Sequence, residues 1–142
     1  RDCRNVNVEK NIGIYGVFKL FELQNALGDR NVLKSNQTIN YFAANPASNP
    51  LPKTISTLYF FFMKLLTYHF LDDKSQTNVA AALQINPFFV SSYSAAARQY
   101  PVRKVVEIMS VLREFDMKSK GMGDVSSDMA DLQKELIYKI LH

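Results

Sequence analysis

The residue types that most often carry out chemistry in proteins are few and scattered in this sequence. The two histidines, His69 and His142, have no second ligand at metal-binding spacing. The single cysteine, Cys3, has no histidine near it in sequence to activate its thiol. A histidine that stands alone in an apolar segment more often packs or faces solvent than binds a metal. The sequence therefore predicts neither a metal site nor a cysteine nucleophile.

Nucleotide binding is not indicated either. A phosphate-binding loop needs several glycines ahead of a Lys and a Ser or Thr, so that backbone amides surround the phosphate oxygens. No such run occurs in the sequence. We therefore expect no catalytic residue, no cofactor and no ATP site.

Asp116 is a carboxylate that the pattern places on an apolar helix face, together with Val105, Met109 and Leu112. A carboxylate in such a place is costly unless it accepts hydrogen bonds or meets a cation. No second acid and no nucleophile lies at helical spacing on the same face, which argues against catalysis. We predict that Asp116 forms a structural ion pair with a nearby Arg or Lys.

The segment from Arg98 to Lys120 is rich in basic residues, in a chain of formal net charge +4. Such charges usually solvate a helix, but along one face they could also follow a phosphate backbone without reading its sequence. Lys118 and Lys120, beside Gly121, are the candidates for nonspecific DNA contact. The segment holds six basic residues (Arg98, Arg103, Lys104, Arg113, Lys118 and Lys120) against three acidic ones (Glu107, Glu114 and Asp116).

Residues 77–100 resemble a helix-turn-helix that reads DNA, with Ala81, Leu83, Ile85 and Val90 at its packing positions. The start of the would-be recognition helix, however, carries Phe88 and Phe89 instead of Arg, Asn or Gln, which read base edges. Gln84 also stands at the turn position where glycine is usual. These departures favour an ordinary helix pair within a bundle, with DNA reading as the alternative.

The elements that must position these residues are helical. Five glycines, five prolines and 47% hydrophobic residues favour regular structure over loops, and no alternating strand pattern occurs. The sequence predicts an irregular all-α bundle whose last helix buries Met129, Leu132, Leu136 and Ile140. The first two predicted helices are Val17–Gly28, which ends at Gly28, and a helix that Asp29 caps and that ends near Asn45. The next three are Lys53–Leu71, which follows Pro52, a helix from Ser75 or Thr77 to Ile85, and a helix that Asn86 caps and that ends at Tyr100. The last two are Val102–Lys120, which follows Pro101, and a final helix capped by Ser126 or Ser127.

Two observations bear on where the protein works. The apolar run Leu58–Phe62 is soon interrupted by Lys64, Thr67 and His69, so it is shorter than the roughly 20 residues of a membrane span. One cysteine and the lack of a visible signal peptide predict a cytoplasmic protein. The chain begins with Arg1 in mid-pattern, so we expect it to be a fragment of a longer protein.

The helix predicted over Lys53–Leu71 has a polar stripe that is broken at Phe60 and Leu71. Two interpretations fit this break. The two apolar side chains lie under a neighbouring helix of the same chain, or they contact another subunit. The pattern itself does not decide between the two.

Several segments together resemble one family. The string FELQNALGDRNVLKSNQTINYF, Phe21 to Phe42, resembles the first collar segment of the delta subunit of the bacterial DNA polymerase III clamp loader. The string LQINPFFVSSYSAAARQYPVRKVVEIMSVLREFDMKSKG, Leu83 to Gly121, is similar to a later collar segment of that family. The closing LQKELIYKILH looks like the family's final helix, and NYFAANP resembles the version found in the Bacteroides group.

This resemblance implies the post-AAA+ oligomerisation domain, or collar, over residues 21–142, with residues 1–20 as a remnant of the preceding lid domain. The family forms a pentameric AAA+ clamp loader that places the sliding clamp on primed DNA during replication, within the DNA polymerase III holoenzyme, a nucleotidyltransferase complex. The implied partners are the collars of the gamma or tau and delta prime subunits. The sliding clamp would be reached only through an N-terminal domain outside this sequence, so the chain is not expected to be an enzyme by itself.

The same resemblance makes Phe60 and Leu71 the candidates for subunit contact. Ring contacts between unlike subunits are heterologous, so each subunit is expected to present two different faces.

Overall fold

The computed structural model describes residues 19, 22–44, 50–121 and 129–142. Regular structure in these ranges is entirely helical, without a strand, which confirms the predicted all-α class. The remnant predicted over residues 1–20, Cys3 included, lies outside the described residues except for Lys19. So do the predicted caps Ser126 and Ser127.

Seven α-helices and one 3₁₀ turn make up the described fold. The first helix, α1, is described over residues 22–28. The others are α2 (Val32–Ala44), α3 (Leu51–His69), α4 (Gln76–Leu83), α5 (Val90–Gln99), α6 (Val102–Ser119) and α7 (Met129–Leu141), with the 3₁₀ turn Pro87–Phe89 before α5.

Helix α3 lies at the centre of the bundle. Pro50 precedes it and Pro52 lies in its first turn, where a proline costs no helical hydrogen bond. It packs against α6 on one flank and against α4 and α5 on the other, while α6 also packs on α7, and α7 on α2. Leu58, Phe62 and Leu65 of α3 are fully buried in this arrangement. Among the described residues, one apolar core therefore runs through the bundle from α3.

The α1–α2 turn confirms one prediction and corrects another. Helix α1 ends at Gly28, as predicted, and Arg30 in the following turn takes the left-handed conformation, with φ of 55°. The Asn31 amide donates to the Ala26 carbonyl at 2.8 Å, which closes the turn in a Schellman arrangement. The predicted N-cap Asp29 is wrong, since the Lys34 amide donates to Asn31 Oδ1 at 3.0 Å. Asn31 therefore caps α2.

Gly28 also allows close packing. It is buried, and a Cβ at this position would lie 3.4 Å from both Ala96 Cβ and Phe61 Cζ. Helix α1 therefore approaches α3 and α5 closely at a point where a larger side chain would push them apart.

Tyr100, between α5 and α6, holds three parts of the fold together. Its hydroxyl donates to the Leu27 carbonyl at the end of α1. Its own carbonyl accepts a 2.8 Å hydrogen bond from His69 Nε2 at the end of α3. Burial raises the pKa of Tyr100 to about 12, against the opposing effect of the nearby Arg30 guanidinium. Arg30 in turn donates to the Leu141 carbonyl at 2.9 Å, which ties the α1–α2 turn to the end of α7.

The turn between α4 and α5 follows the prediction in part. Asn86 Oδ1 accepts from the Phe88 amide at 2.9 Å, which confirms Asn86 as a cap. The segment after Pro87 opens as the 3₁₀ turn, so α5 begins at Val90, later than predicted. Gln84, at the turn position where glycine is usual, takes the left-handed conformation with φ of 56°.

Helix α7 confirms Leu132, Leu136 and Ile140 as buried residues. Met129 was predicted on the same side, but its side chain is 38% exposed. Met129 is the first residue of α7, so it lies at the helix end, beyond the fully packed turns. The buried face is completed by Gln133, Ile137 and Leu141 instead.

We predict that Gln84→Gly stabilises the protein. A side chain in the left-handed region costs about 1–2 kcal/mol, and glycine removes this cost. Glycine also makes the unfolded chain more flexible, which offsets part of the stabilisation. The free energy of unfolding in urea should rise by about 0.5–1 kcal/mol. Arg30→Gly is the matched control, because it relieves the same strain but loses the hydrogen bonds to Leu141. A loss of stability in Gln84→Gly would contradict this reading of the turn.

Candidate functional site: the groove between α3 and α6

Helices α3 and α6 leave a groove of about 320 Å³ between them. It brings together three of the predicted site residues, Phe60, Asp116 and Lys120. Helix α3 lines it with Ile55, Ser56, Tyr59 and Phe60, and α6 with Leu112, Arg113, Asp116 and Lys120.

The groove lies within a longer face of α3. Phe60 follows Ser56 by four residues, and Met63, Thr67 and Phe70 continue the same three- and four-residue spacing, which keeps them on one side of the helix. Phe60 is 57% exposed, Met63 is 38% exposed, and Phe70, just past the helix end, is largely exposed. This side of α3 therefore presents large apolar side chains to solvent.

Helix α6 presents a matching stripe. Val106, Met109, Arg113, Asp116 and Lys120 recur at the same three- and four-residue spacing. The helices run antiparallel, because the start of α3 meets the end of α6 in the groove, and His69 bonds to Tyr100 at the opposite end. Phe70 and Val106 thus lie toward one end of the seam and Ser56 and Lys120 toward the other.

We name these stripes together the α3–α6 face. It has an apolar end and a charged end, and it consists of Ser56, Phe60, Met63, Phe70, Val106, Met109, Arg113, Asp116 and Lys120.

Asp116 has a cationic partner in this face. Its Oδ2 lies 3.0 Å from Lys120 Nζ, one helical turn further along α6. Both side chains keep substantial solvent exposure, so the pair contributes modestly to stability. No cluster of three or more His, Cys, Asp or Glu side chains that could hold a metal occurs in the described part of the chain. Asp116 therefore has the geometry of a local ion pair.

Lys118 lies on a different side of α6 from Lys120. Its Nζ is 3.2 Å from Glu114 Oε2 and 4.8 Å from the centre of the Phe115 ring. Lys139 of α7 approaches the same ring, so Lys118 lies toward α7 and away from the groove. DNA contact by Lys118 and Lys120 stays a prediction, and each lysine already has a carboxylate beside it.

The two candidates for subunit contact differ in their surroundings. Leu71 is partly buried and packs against the core of its own chain, whereas Phe60 lines the groove.

Three residues of the face, Met63, Val106 and Arg113, were not predicted from the sequence as site residues. The spacing from Phe60 could have indicated Met63, but the two residues of α6 join the face only because α6 packs beside α3.

A second recess, of about 270 Å³, lies on the other flank of α3, near α1 and α5. Burial raises the pKa of Tyr93, one of its lining residues, to about 12. The recess differs from the groove in its polar groups, which are mainly amides and a hydroxyl instead of an ion pair and a guanidinium. These groups belong to Gln24, Asn25, Lys64, Asn86 and Ser92, around Ile85, Phe89 and Tyr93.

The helix pair α4–α5 has the turn expected of a helix-turn-helix, with Leu83 and Val90 buried and Ile85 partly buried. Ala81, predicted at a packing position, is exposed, because the short α4 buries Val79, Ala80 and Leu83 instead. At the start of the second helix, Phe88, Ser91 and Ser92 face solvent. These side chains offer few of the groups that read base edges.

The histidines have local partners. His69 bonds to the Tyr100 carbonyl, and the His142 ring lies 4.5 Å from the Tyr138 ring, centre to centre.

None of the helices in the described ranges combines the length and apolar character that spanning a bilayer requires. Comparison with protein-family models, curated proteins and solved structures gives no match to this chain.

We predict that Asp116→Asn changes stability little. Removing one partner of a solvent-exposed pair on a helix should lower the free energy of unfolding by about 0.5 kcal/mol or less. Glu114→Gln, which removes the carboxylate of the neighbouring Glu114–Lys118 pair, is the matched control and should behave alike. A loss of more than about 2 kcal/mol in urea unfolding for Asp116→Asn alone would show that the carboxylate has a buried structural role.

Proposed function

We propose that this chain is an assembly module whose α3–α6 face packs against helices of neighbouring subunits. One observation carries the proposal: Phe60, Met63, Phe70 and Val106 are all exposed and follow a single seam. Large apolar side chains scattered singly are ordinary on protein surfaces, but a continuous group of them marks an interaction site.

The second recess supports a heterologous assembly. It lies on the opposite flank of α3 and is lined mainly by amide and hydroxyl side chains, whereas the groove carries Arg113 and the Asp116–Lys120 pair, so the molecule presents two unlike surfaces. Head-to-tail contacts in a ring of subunits require such a pair of different surfaces.

We further propose that the assembly is a bacterial DNA polymerase III clamp loader, with this chain as the collar of a cytoplasmic delta subunit. This step rests on the resemblance of Phe21–Phe42 and Leu83–Gly121 to that family. In this role the chain packs beside the gamma or tau and delta prime collars and closes the ring above the motor domains. Clamp opening and ATP hydrolysis belong to other domains, and primed DNA is at most a nonspecific contact.

We predict that Phe60→Glu weakens association with the loader. The chain is mixed with purified gamma or tau, or with delta prime, from a Bacteroides-type clamp loader, and binding is measured by interferometry. A charge in the middle of an apolar contact should lower the affinity about tenfold or more. Leu33→Glu is the matched control, because Leu33 is 69% exposed on α2 and outside the α3–α6 face; it should bind like the wild type.

Two results would contradict the proposal at different levels. If the wild-type chain binds neither partner, the clamp-loader assignment is wrong. If Phe60→Glu and Leu33→Glu reduce binding equally, the α3–α6 face is not the docking surface.

DNA reading by the α4–α5 pair is the second candidate, favoured by the left-handed turn at Gln84 and the capped start at Asn86. Selection from random duplex DNA separates the two functions. The assembly proposal predicts at most a salt-dependent, sequence-blind response. Enrichment of a motif that Ser92→Ala weakens would instead establish the second function.

A further inference from the structure

We infer that the α3–α6 face accepts an amphipathic helix that carries a carboxylate side chain at the end nearest Arg113. The inference rests on the proposed function and deepens it, because it names the chemistry of the partner segment.

The shape of the face suits a helix. From Ser56 to Phe70 the stripe on α3 extends for about 21 Å at the helical rise per residue. The α6 stripe runs antiparallel beside it, so the two helices form a lengthwise seam into which the side chains of a third helix can pack. Met63 and Met109 lie within this seam, and their unbranched side chains adapt to a partner's shape. An apolar helix face that lies in such a groove is a common mode of recognition.

The charges at one end of the α3–α6 face determine which side chain a partner helix should carry there. At the charged end of the face, Arg113 and Lys120 stand with a single carboxylate, Asp116, and Asp116 is already paired with Lys120 at 3.0 Å. Arg113 is exposed and forms no ion pair among the residues that the structure describes. A guanidinium binds a carboxylate through two parallel hydrogen bonds, which gives both attraction and orientation. A partner helix with an acidic residue there is therefore favoured over one with a basic residue.

A phosphate backbone fits the same surface less well. Asp116 lies between the two cations, and the exposed residues at the other end of the face, Phe70 and Val106, are apolar and offer a phosphate backbone no charge to bind. The charge pattern thus selects an acidic, apolar helix as the occupant.

Two synthetic helical peptides with blocked termini test this inference. Each has leucines along one face over about 18 residues, enough to cover the seam, and they differ in a single Glu or Lys at one end. Fluorescence anisotropy with the full chain should show the Glu peptide binding about fivefold more tightly or better. Arg113→Glu should reverse the preference. Arg103→Glu is the control, because Arg103 lies on the same helix outside the face and pairs with Glu107; it should leave the preference unchanged.

Each alternative result has a definite meaning. Equal binding of the two peptides by the wild-type chain would overturn the carboxylate requirement and leave apolar docking intact. Binding of neither peptide, while the loader subunits still associate, would overturn the helical occupant and leave the proposed function standing. If neither peptide binds and the chain alone forms a dimer that Phe60→Glu dissociates, the occupant is a second copy and the inference is wrong.

Discussion

Helix α3 carries more large apolar side chains than the described helices of its own chain cover. Its inner positions, such as Leu58, Phe62 and Leu65, are buried by α4, α5 and α6 and hold the bundle together. Phe60 and Met63 continue the apolar character onto a flank that keeps substantial exposure. Because apolar surface gains about 25 cal/mol per Å² when it leaves water, this flank is a source of binding free energy for a second polypeptide. The fold and the proposed function thus depend on the same helix.

The way α6 is held beside α3 decides what the α3–α6 face contains. Tyr100 immediately precedes Pro101 and α6; its hydroxyl bonds to the Leu27 carbonyl and its own carbonyl to His69. These contacts fix the start of α6 at the end of α3. Val106 then lies toward Phe70, and Arg113 and Asp116 line the groove with Phe60. A few polar contacts far from the groove therefore determine which end of the α3–α6 face is apolar and which end is charged.

Much of the helical framework could be predicted from the sequence, because prolines and caps such as Pro52, Pro101 and Asn86 act locally. The α1–α2 turn could not be predicted in this way. Arg30 holds a conformation that usually favours glycine, and its guanidinium is bound by the Leu141 carbonyl more than a hundred residues away. The composition of the groove could not be predicted either. Spacing shows which residues share one side of a helix, but not which second helix packs beside it. The pairing of Asp116 with Lys120 was within reach, since it follows from four-residue spacing.

Hydroxyl-radical footprinting tests most directly whether another polypeptide covers the α3–α6 face. Met63 on that face and Met129 on α7 are both 38% exposed, so in the free chain their rates of oxidation should be similar. When a single clamp-loader collar partner is added to saturation, the rate at Met63 should fall severalfold while the rate at Met129 stays as it was. An unchanged rate at Met63 in a partner complex that has demonstrably formed would contradict the account.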